Sequence, residues 1–217
     1  MARRKQGHVD KPPPETGKDV WIFAYGSLMW DPGFRFEEAR PALLRGYHRA
    51  FCLYSHRYRG TPEKPGLVLG LDAGGACRGI AYRVHARDAE RVMSYLWERE
   101  MLNRAYECKD LKIRVAGRVK TARAFVVRRG HPQYAGKLPV ERAVELICQG
   151  QGARGPCYSY LENTVEHLDR LGIPDRQLHA LLAAVKQRRS AASAVAGTLE
   201  RDEVRPNRGG FPDSGRL

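Results

Sequence analysis

Two glutamates, Glu98 and Glu100, lie in an apolar segment with the periodicity of an α-helix, AERVMSYLWEREMLN (89–103). At about 100° of rotation per residue, the apolar side chains gather on one face of this predicted helix, and Glu100 falls in the middle of that face. Glu98 falls on the opposite, polar face. The spacing therefore predicts that only Glu100 points toward the protein interior.

A carboxylate in such a position could transfer protons. Burial of an unpaired carboxyl group is costly and raises its pKa, which brings the group closer to the range in which general acids and bases work. Two other interpretations stay open. Glu100 could be a structural acid whose charge an arginine or backbone N–H groups compensate. Alternatively, the helix could end before residue 100, in which case Glu100 could not be assigned to the apolar face of the helix.

The segment FAYGSLMWDPG (23–33) begins as an apolar strand that Gly26 and Ser27 interrupt. Ser27 lacks the G-x-S-x-G frame of a hydrolase nucleophile, and a hydroxyl that hydrogen-bonds the local backbone is the other interpretation. Gly26 permits a tight turn. We expect the strand to stop here so that backbone N–H groups can face a ligand instead of a neighbouring strand.

Arginine and tyrosine side chains farther along the chain could contact an anionic ligand. Arg57 and Arg59 lie in a loop rich in glycine and proline (56–66), where they could clamp a carboxylate or remain solvated. Tyr160 lies on the apolar face of a predicted helix (158–171), so its ring should be buried and its hydroxyl should seek a partner. Core packing alone would also explain Tyr160.

The residue pattern does not indicate a metal site, a nucleotide-binding motif or a set of disulfide bonds. The seven histidines and five cysteines are scattered, without C-x-x-C or another metal-ligand spacing. No P-loop is present, and no G-x-G-x-x-G motif follows a predicted strand. We therefore expect no metal, no cofactor and no disulfide framework, and we expect a reducing, cytoplasmic compartment.

The chain is strongly basic, with a formal net charge of +14 over 217 residues. Such a charge fits a nucleic-acid surface, an enzyme that attracts an anionic small molecule, or an ordinary solvated surface. The basic residues are not interleaved with aromatic ones as in RNA-binding modules, so we expect no nucleic-acid partner. No apolar run reaches the length of a membrane span, and the basic N-terminus lacks the apolar core of a signal peptide.

The order of the predicted elements is typical of an α+β domain, because strands cluster first and most helices follow. Polar composition predicts a disordered lead over residues 1–18, and small polar residues predict a flexible tail over 189–217. Residues 19–188 form the predicted folded domain. Strands are predicted at 20–26, 49–54, 67–75, 77–85, 111–115 and 121–128, and helices at 86–103, 140–149, 158–171 and 175–188.

Four separated segments together resemble the ChaC-type γ-glutamylcyclotransferases, the glutathione-degrading branch of the γ-glutamylcyclotransferase superfamily. They are VWIFAYGSLMW (20–30), RGTPEKPGLVLGL (59–71) with GIAYRV (79–84), YLWEREM (95–101) followed by Tyr106, and GQGARGPCYSYL (150–161). The resemblance implies an α+β fold around a small mixed β-barrel flanked by helices. The family often has glycine where this chain has Ala24 and histidine where it has Tyr58.

The same resemblance implies a reaction and its residues. The family cleaves glutathione into 5-oxoproline and cysteinylglycine without water, metal or cofactor, and its catalytic acid maps to Glu100. The resemblance places the substrate against Phe23, Ala24, Tyr25, Gly26, Ser27, Leu28, Arg59, Tyr106 and Tyr160. Arg59, Arg57 or the general positive field could attract the glycine carboxylate.

Two alternatives remain beside this interpretation. The same chemistry could act on other γ-glutamyl amines or amino acids, or the protein could be a non-catalytic module that binds an acidic metabolite. An idle buried acid is costly, which argues against the second alternative. The expected partner is a small-molecule substrate, with neither nucleic acid nor membrane, and the residues do not predict an oligomeric state.

Overall fold

A closed five-stranded barrel forms the centre of the protein. The structure, a computed structural model, describes residues 17–203, with side chains through residue 194. The strands are β1 (Val20–Ala24), β2 (Glu38–Ser55), β3 (Gly66–Val84), β4 (Tyr106–Val115) and β5 (Arg118–Val127). They close in the order β1-β3-β2-β4-β5, with β1 and β5 parallel and the other pairs antiparallel. The predicted α+β class and small mixed barrel are confirmed.

Four helices accompany the barrel within the described part of the chain. They are α1 (Ala86–Glu100), α2 (Val140–Gln149), α3 (Cys157–Arg170) and α4 (Arg176–Glu203), and a short ribbon before α3 pairs β6 (Gln151–Gly152) with β7 (Gly155–Pro156). Each of the first three helices buries one apolar stripe, as expected for helices that cover a barrel. Over residues 17–203, no helix combines the length and the apolarity needed to cross a membrane.

The first strand is buried on both faces. Ile22, Phe23 and Ala24 are at most 1% exposed, because one face fills the barrel and the other lies against the surrounding elements. The sequence of a strand that is covered on both faces is a continuous run of apolar residues, without the alternation of apolar and polar residues seen in half-exposed strands. This explains why VWIFA is apolar at every position and why the polar residues that follow it mark the end of the strand.

The glycine-rich stretch in β3 is a bulge and not the predicted turn. One 19-residue strand replaces the two strands expected there. Two residues of β3, Gly74 and Gly75, lie opposite a single residue of β2, Gly46. Gly74 and Gly75 have φ angles of 106° and 70°, a backbone conformation that residues other than glycine rarely adopt. The bulge absorbs the extra residue, so the strand bends and continues.

Two predicted helix ends are wrong. The helix predicted over 86–103 ends at Glu100. The last helix continues to Glu203, since residues 190–203 are mostly good helix formers and no proline interrupts them. The helix thus extends over residues 189–203 of the predicted tail, and the flexibility of that segment stays a prediction. The remainder of that tail, 204–217, and residues 1–16 of the predicted lead lie outside the described residues.

Leu96 anchors α1 one turn before Glu100 and is fully buried. Replacing it by alanine leaves a cavity between α1 and the barrel, so we expect Leu96→Ala to lower the free energy of unfolding by about 2–5 kcal/mol. Urea denaturation monitored by circular dichroism measures this loss. Leu102→Ala, at a position that is 56% exposed, is the control and should change stability by less than about 0.5 kcal/mol. Equal losses in both variants would show that Leu96 does not anchor the helix.

Candidate active site

A small pocket, the inner pocket, opens where β1 ends and has a volume of about 40 Å³. The turn after β1, the end of α1, the start of β4 and the first turn of α3 meet there. Its lining residues are Phe23, Tyr25, Gly26, Ser27, Leu28, Leu69, Glu100, Tyr106, Phe125 and Tyr160. Segments far apart in the chain thus converge on one cavity that a compact head group could occupy.

The backbone reverses immediately after β1. Ser27–Met29 form a single 3₁₀ turn, in which Met29 donates its N–H to the Gly26 carbonyl at 2.8 Å. The first N–H groups of such a turn, those of Ser27 and Leu28, have no partner within the turn. They are therefore available to an oxygen atom in the inner pocket, which is the arrangement expected from the interrupted strand.

Gly26 is not required by packing within the protein. Its φ is −134°, and a Cβ added there would lie 3.5 Å from Leu69 Cδ1, an ordinary van der Waals contact. Because Gly26 and Leu69 both line the inner pocket, a side chain at residue 26 would narrow the cavity. Space for a ligand is thus the reason for glycine that the geometry favours.

The buried side chain of Arg49 holds the turn after β1 in place. Arg49 was not among the predicted site residues. Its side chain is 2% exposed, and it donates hydrogen bonds to the carbonyl oxygens of Tyr25 and Arg78. It also forms an ion pair with Asp175 at 3.1 Å and contacts Met29 Sδ. One signal was present in the sequence, because an arginine opens the apolar run of the strand predicted at 49–54. A buried arginine there had to find partners.

Arg99 joins α1 to the turn after β1. Its guanidinium donates to Ser27 Oγ at 3.0 Å, to the Asp31 carbonyl at 2.9 Å and to the Tyr95 hydroxyl at 2.9 Å. The Ser27 hydroxyl therefore accepts a hydrogen bond from a cation, which lowers its use as a nucleophile. The partner of Ser27 Oγ is an arginine of α1 and not the local backbone that the other interpretation expected.

Glu100 is the last residue of α1, and its side chain is 18% exposed, whereas Glu98 lies in solvent. The predicted difference between the two acids is confirmed, and the interpretation that the helix ends before residue 100 is wrong. Burial raises the pKa of the Glu100 carboxyl, while the positive charges of Arg99 and Arg154 act in the opposite direction. Arg99 Nε lies 3.3 Å from Glu100 Oε1. Glu100 therefore has an arginine partner, as the structural interpretation expects, but this ion pair does not cancel the effect of burial on its pKa.

Three tyrosines surround this carboxyl group. Burial, reinforced by the nearby negative charge of Glu100, raises the pKa of Tyr25, Tyr106 and Tyr160. Tyr106 donates its hydroxyl to the Leu69 carbonyl at 2.7 Å and is also hydrogen-bonded to Tyr25. All three therefore stay neutral at physiological pH and present polar hydroxyl groups on otherwise apolar walls. Such walls suit a polar head group.

A wider groove, the outer groove, adjoins the inner pocket and has a volume of about 450 Å³. The two cavities share Ser27, Glu100 and Tyr106. A ligand that fills both would therefore pass directly over the Glu100 carboxyl. Over the described residues, no three histidine, cysteine or acidic side chains come together in a way that could hold a metal ion.

Most of the predicted site residues meet in the inner pocket. Those that line it are Phe23, Tyr25, Gly26, Ser27, Leu28, Glu100, Tyr106 and Tyr160. Ala24 is fully buried behind them. Arg59 lines neither cavity, because its guanidinium lies over the Tyr160 ring at 5.1 Å and donates to the carbonyl oxygens of Arg154 and Pro156. Leu69 and Phe125 were missed, since as apolar strand residues they look like any other core position.

Comparisons with known proteins show the family and the fold to which this chain is similar. A family model described as ChaC-like protein matches residues 20–188. The glutathione-specific γ-glutamylcyclotransferase of Escherichia coli (strain K12) is 37% identical over 175 residues, which cover 80% of this chain and 75% of that protein. The glutathione-specific γ-glutamylcyclotransferase 1 of Homo sapiens is 31% identical, with 76% and 78% covered. A crystal structure of a yeast γ-glutamyl cyclotransferase specific to glutathione shares the fold, with a TM-score of 0.72 at 21% identity, covering 78% of this chain and 96% of that one.

The role of Arg49 can be tested by stability. Arg49→Leu would remove the arginine donor from the buried Tyr25 carbonyl and from the partly buried Arg78 carbonyl, and would leave Asp175 without this ion pair, so we expect the free energy of unfolding to fall by about 2–4 kcal/mol. Arg45→Leu removes an exposed arginine of the same strand and should change stability by less than about 0.5 kcal/mol. Urea titrations of both variants decide the point, and an Arg49→Leu protein as stable as the wild type would contradict it.

The raised pKa of Glu100 makes stability depend on pH. Between the unfolded-state pKa of about 4.3 and the higher folded-state pKa, the folded protein binds more protons than the unfolded chain, so the free energy of unfolding falls as pH rises. Glutamine does not titrate, so Glu100→Gln removes the Glu100 contribution to this fall in the free energy of unfolding. Its stability relative to the wild type should increase through this pH window and then level off. Denaturation midpoints at a series of pH values test the sign, and a relative stability that decreases with pH would refute it.

Proposed function

The chain belongs to the ChaC-like protein family, and from this premise we propose that it is a γ-glutamylcyclotransferase that cleaves glutathione into 5-oxoproline and cysteinylglycine. The relatives named as glutathione-specific enzymes support the substrate. One observation carries the chemistry: the carboxyl group of Glu100, with its pKa raised by burial, lies in the same small cavity as the turn after β1.

The first chemical requirement is a free amine. In the proposed complex the γ-glutamyl head group occupies the inner pocket, with its α-amino group beside Glu100. An α-amino group has a pKa of about 8, so at neutral pH it is mostly an ammonium ion without a lone pair. The Glu100 carboxylate accepts one proton from it, and a carboxyl group with a raised pKa is a better base for this task than an ordinary one.

Ring closure follows within the substrate. The freed amine attacks its own γ-carbonyl carbon, so a new C–N bond closes a five-membered lactam. The bond from that carbon to the cysteinyl nitrogen then breaks, and Glu100 returns its proton to the departing nitrogen. Glu100, again a carboxylate, takes the second proton from the ring nitrogen, which becomes the lactam N–H, and passes it to the departing amine, which leaves as an ammonium ion. The products are 5-oxoproline and cysteinylglycine. No water molecule is consumed, and the carboxyl group is regenerated in its starting state.

The γ-carbonyl oxygen gains negative charge during this attack. The N–H groups of Ser27 and Leu28, without partners in the 3₁₀ turn, are suitable donors for that oxygen. Arg99 fixes the same turn through Ser27 Oγ and contacts Glu100, so it holds the donors and the base in one arrangement. We assign Arg99 a positioning role, because its guanidinium is already engaged by the protein.

The site also favours intramolecular attack through shape. Tyr25, Tyr106 and Tyr160 line a cavity of only about 40 Å³, which suits a compact head group. A chain folded back on itself has its amine near its γ-carbonyl, and fixing that conformation removes much of the entropic barrier. Cyclisation is thus a reaction that a compact pocket promotes.

We also place the protein in the cytoplasm and expect no nucleic-acid partner. The five cysteines are all free in the structure, which suits a reducing compartment that contains glutathione. A basic surface also suits an enzyme that attracts an anionic small-molecule substrate.

Glu100→Gln tests the proposed base. The amide keeps the size of the side chain and cannot accept the proton, so the protein should still fold and bind glutathione while 5-oxoproline release falls by at least about 10²-fold. Liquid chromatography of the products measures the rate, and calorimetry measures binding. Glu98→Gln, an equal change on the exposed face of α1, should keep wild-type turnover.

Near-normal turnover in Glu100→Gln would remove Glu100 from the mechanism. Tight binding of glutathione by the wild-type protein without any 5-oxoproline release would instead identify a binding module. Faster release from γ-glutamyl-alanine than from glutathione would move the substrate to free γ-glutamyl amino acids.

A further inference from the structure

The outer groove must hold the part of the substrate that departs, if the proposed function is correct. With the γ-glutamyl group in the inner pocket, the scissile bond lies near Glu100, which both cavities share. The cysteinylglycine half then extends into the outer groove. That half ends in a free carboxylate in glutathione, whereas a γ-glutamyl amine has no charge there. The charges of the groove therefore bear on which substrates are accepted.

Two arginines of the outer groove lie on opposite loops and share one aromatic ring. The guanidinium of Arg154 lies 4.6 Å from the centre of the Tyr58 ring, and that of Arg57 lies 5.6 Å from it. All three residues line the outer groove. A cation against an aromatic face is held with less freedom than a solvated one, so the two positive charges have a defined place on this wall.

Neither arginine has an anionic partner in the described part of the protein. The salt bridges within that part engage other arginines, including Arg99, and the only carboxylate that lines the groove is Glu100. Arg154 is close enough to oppose the raised pKa of Glu100, which places its charge near the reaction centre. Two like charges beside one ring repel each other, and an anion bound between them would relieve that repulsion.

Backbone hydrogen bonds join the two loops that carry these arginines. Ala153 donates its N–H to the Arg57 carbonyl at 2.8 Å, and Arg154 donates to the Tyr58 carbonyl at 2.9 Å. Arg59 adds hydrogen bonds to the carbonyl oxygens of Arg154 and Pro156. Arg59 therefore positions the loop that bears Arg154, and its own guanidinium is not free to meet the substrate.

We propose that Arg57 and Arg154 form a carboxylate clamp that recognises the C-terminal carboxylate of the departing dipeptide. Guanidinium groups bind carboxylates through paired, charge-assisted hydrogen bonds. The clamp selects γ-glutamyl peptides that end in a free carboxylate over γ-glutamyl amines and esters. It acts on substrate binding, since the carboxylate lies outside the bonds that form and break.

The test compares glutathione with its glycine ethyl ester, which lacks only the negative charge. We expect the wild-type KM to be about 10- to 100-fold higher for the ester than for glutathione, with similar kcat, because a charged hydrogen bond is worth about one to two factors of ten. In the Arg57→Gln/Arg154→Gln double variant, KM for glutathione should rise to the level of the ester and KM for the ester should not change. Both side chains are exposed, so folding should be unaffected, and each single variant should show an intermediate effect.

Arg118→Gln is the matched control. It removes the same charge from an exposed position at the end of β5 opposite Val127, the residue that pairs with Tyr106, and it should leave both KM values unchanged. Equal KM values for the two substrates in the wild type, or unchanged discrimination in the double variant, would overturn the clamp and leave the proposed function intact. Absence of 5-oxoproline from both substrates would overturn the proposed function and the clamp with it.

Discussion

The burial of one carboxyl group, that of Glu100, is the constraint around which the site is built. α1 directs apolar side chains such as Leu96 into the core, and the same helical face carries Glu100 into a pocket walled by three tyrosines. Holding a carboxylate there costs stability, because the group loses water and gains only partial compensation from Arg99. The packed core offsets that cost, and the raised pKa that results is the property the proposed reaction uses.

A second constraint is that the site is assembled from distant segments. The turn after β1, the end of α1 and the start of α3 meet beside a barrel that closes through the parallel β1–β5 pair. Two arginines fix the meeting point. Arg49 holds the turn from inside the protein through the Tyr25 carbonyl, and Arg99 holds it from α1 through Ser27 Oγ. The donors and the base therefore face each other before a substrate arrives, which is what electrostatic preorganisation requires.

Local patterns in the sequence predicted the parts of the structure that depend on local periodicity. The helix at 140–149 and the inward direction of Glu100 follow from the spacing of apolar residues. The full length of β3 did not follow, because a bulge of paired glycines looks like a turn until its partner strand is known. Arg49 and Arg154 were missed for the same reason, since their partners lie on other segments. The resemblance to a family supplied the barrel and the site residues that periodicity alone left open.

The central claim is that Glu100 carries the proton from the attacking amine to the departing nitrogen. Titration of the Glu100 carboxyl by carbon NMR in selectively labelled protein, set beside the pH dependence of kcat/KM for glutathione, tests it most directly. The account predicts that the NMR pKa is raised above the ordinary value of 4.5 and coincides with the acidic limb of kcat/KM, which reports on the free enzyme. An NMR pKa at or below the ordinary value, or an acidic limb with a different midpoint, would contradict it.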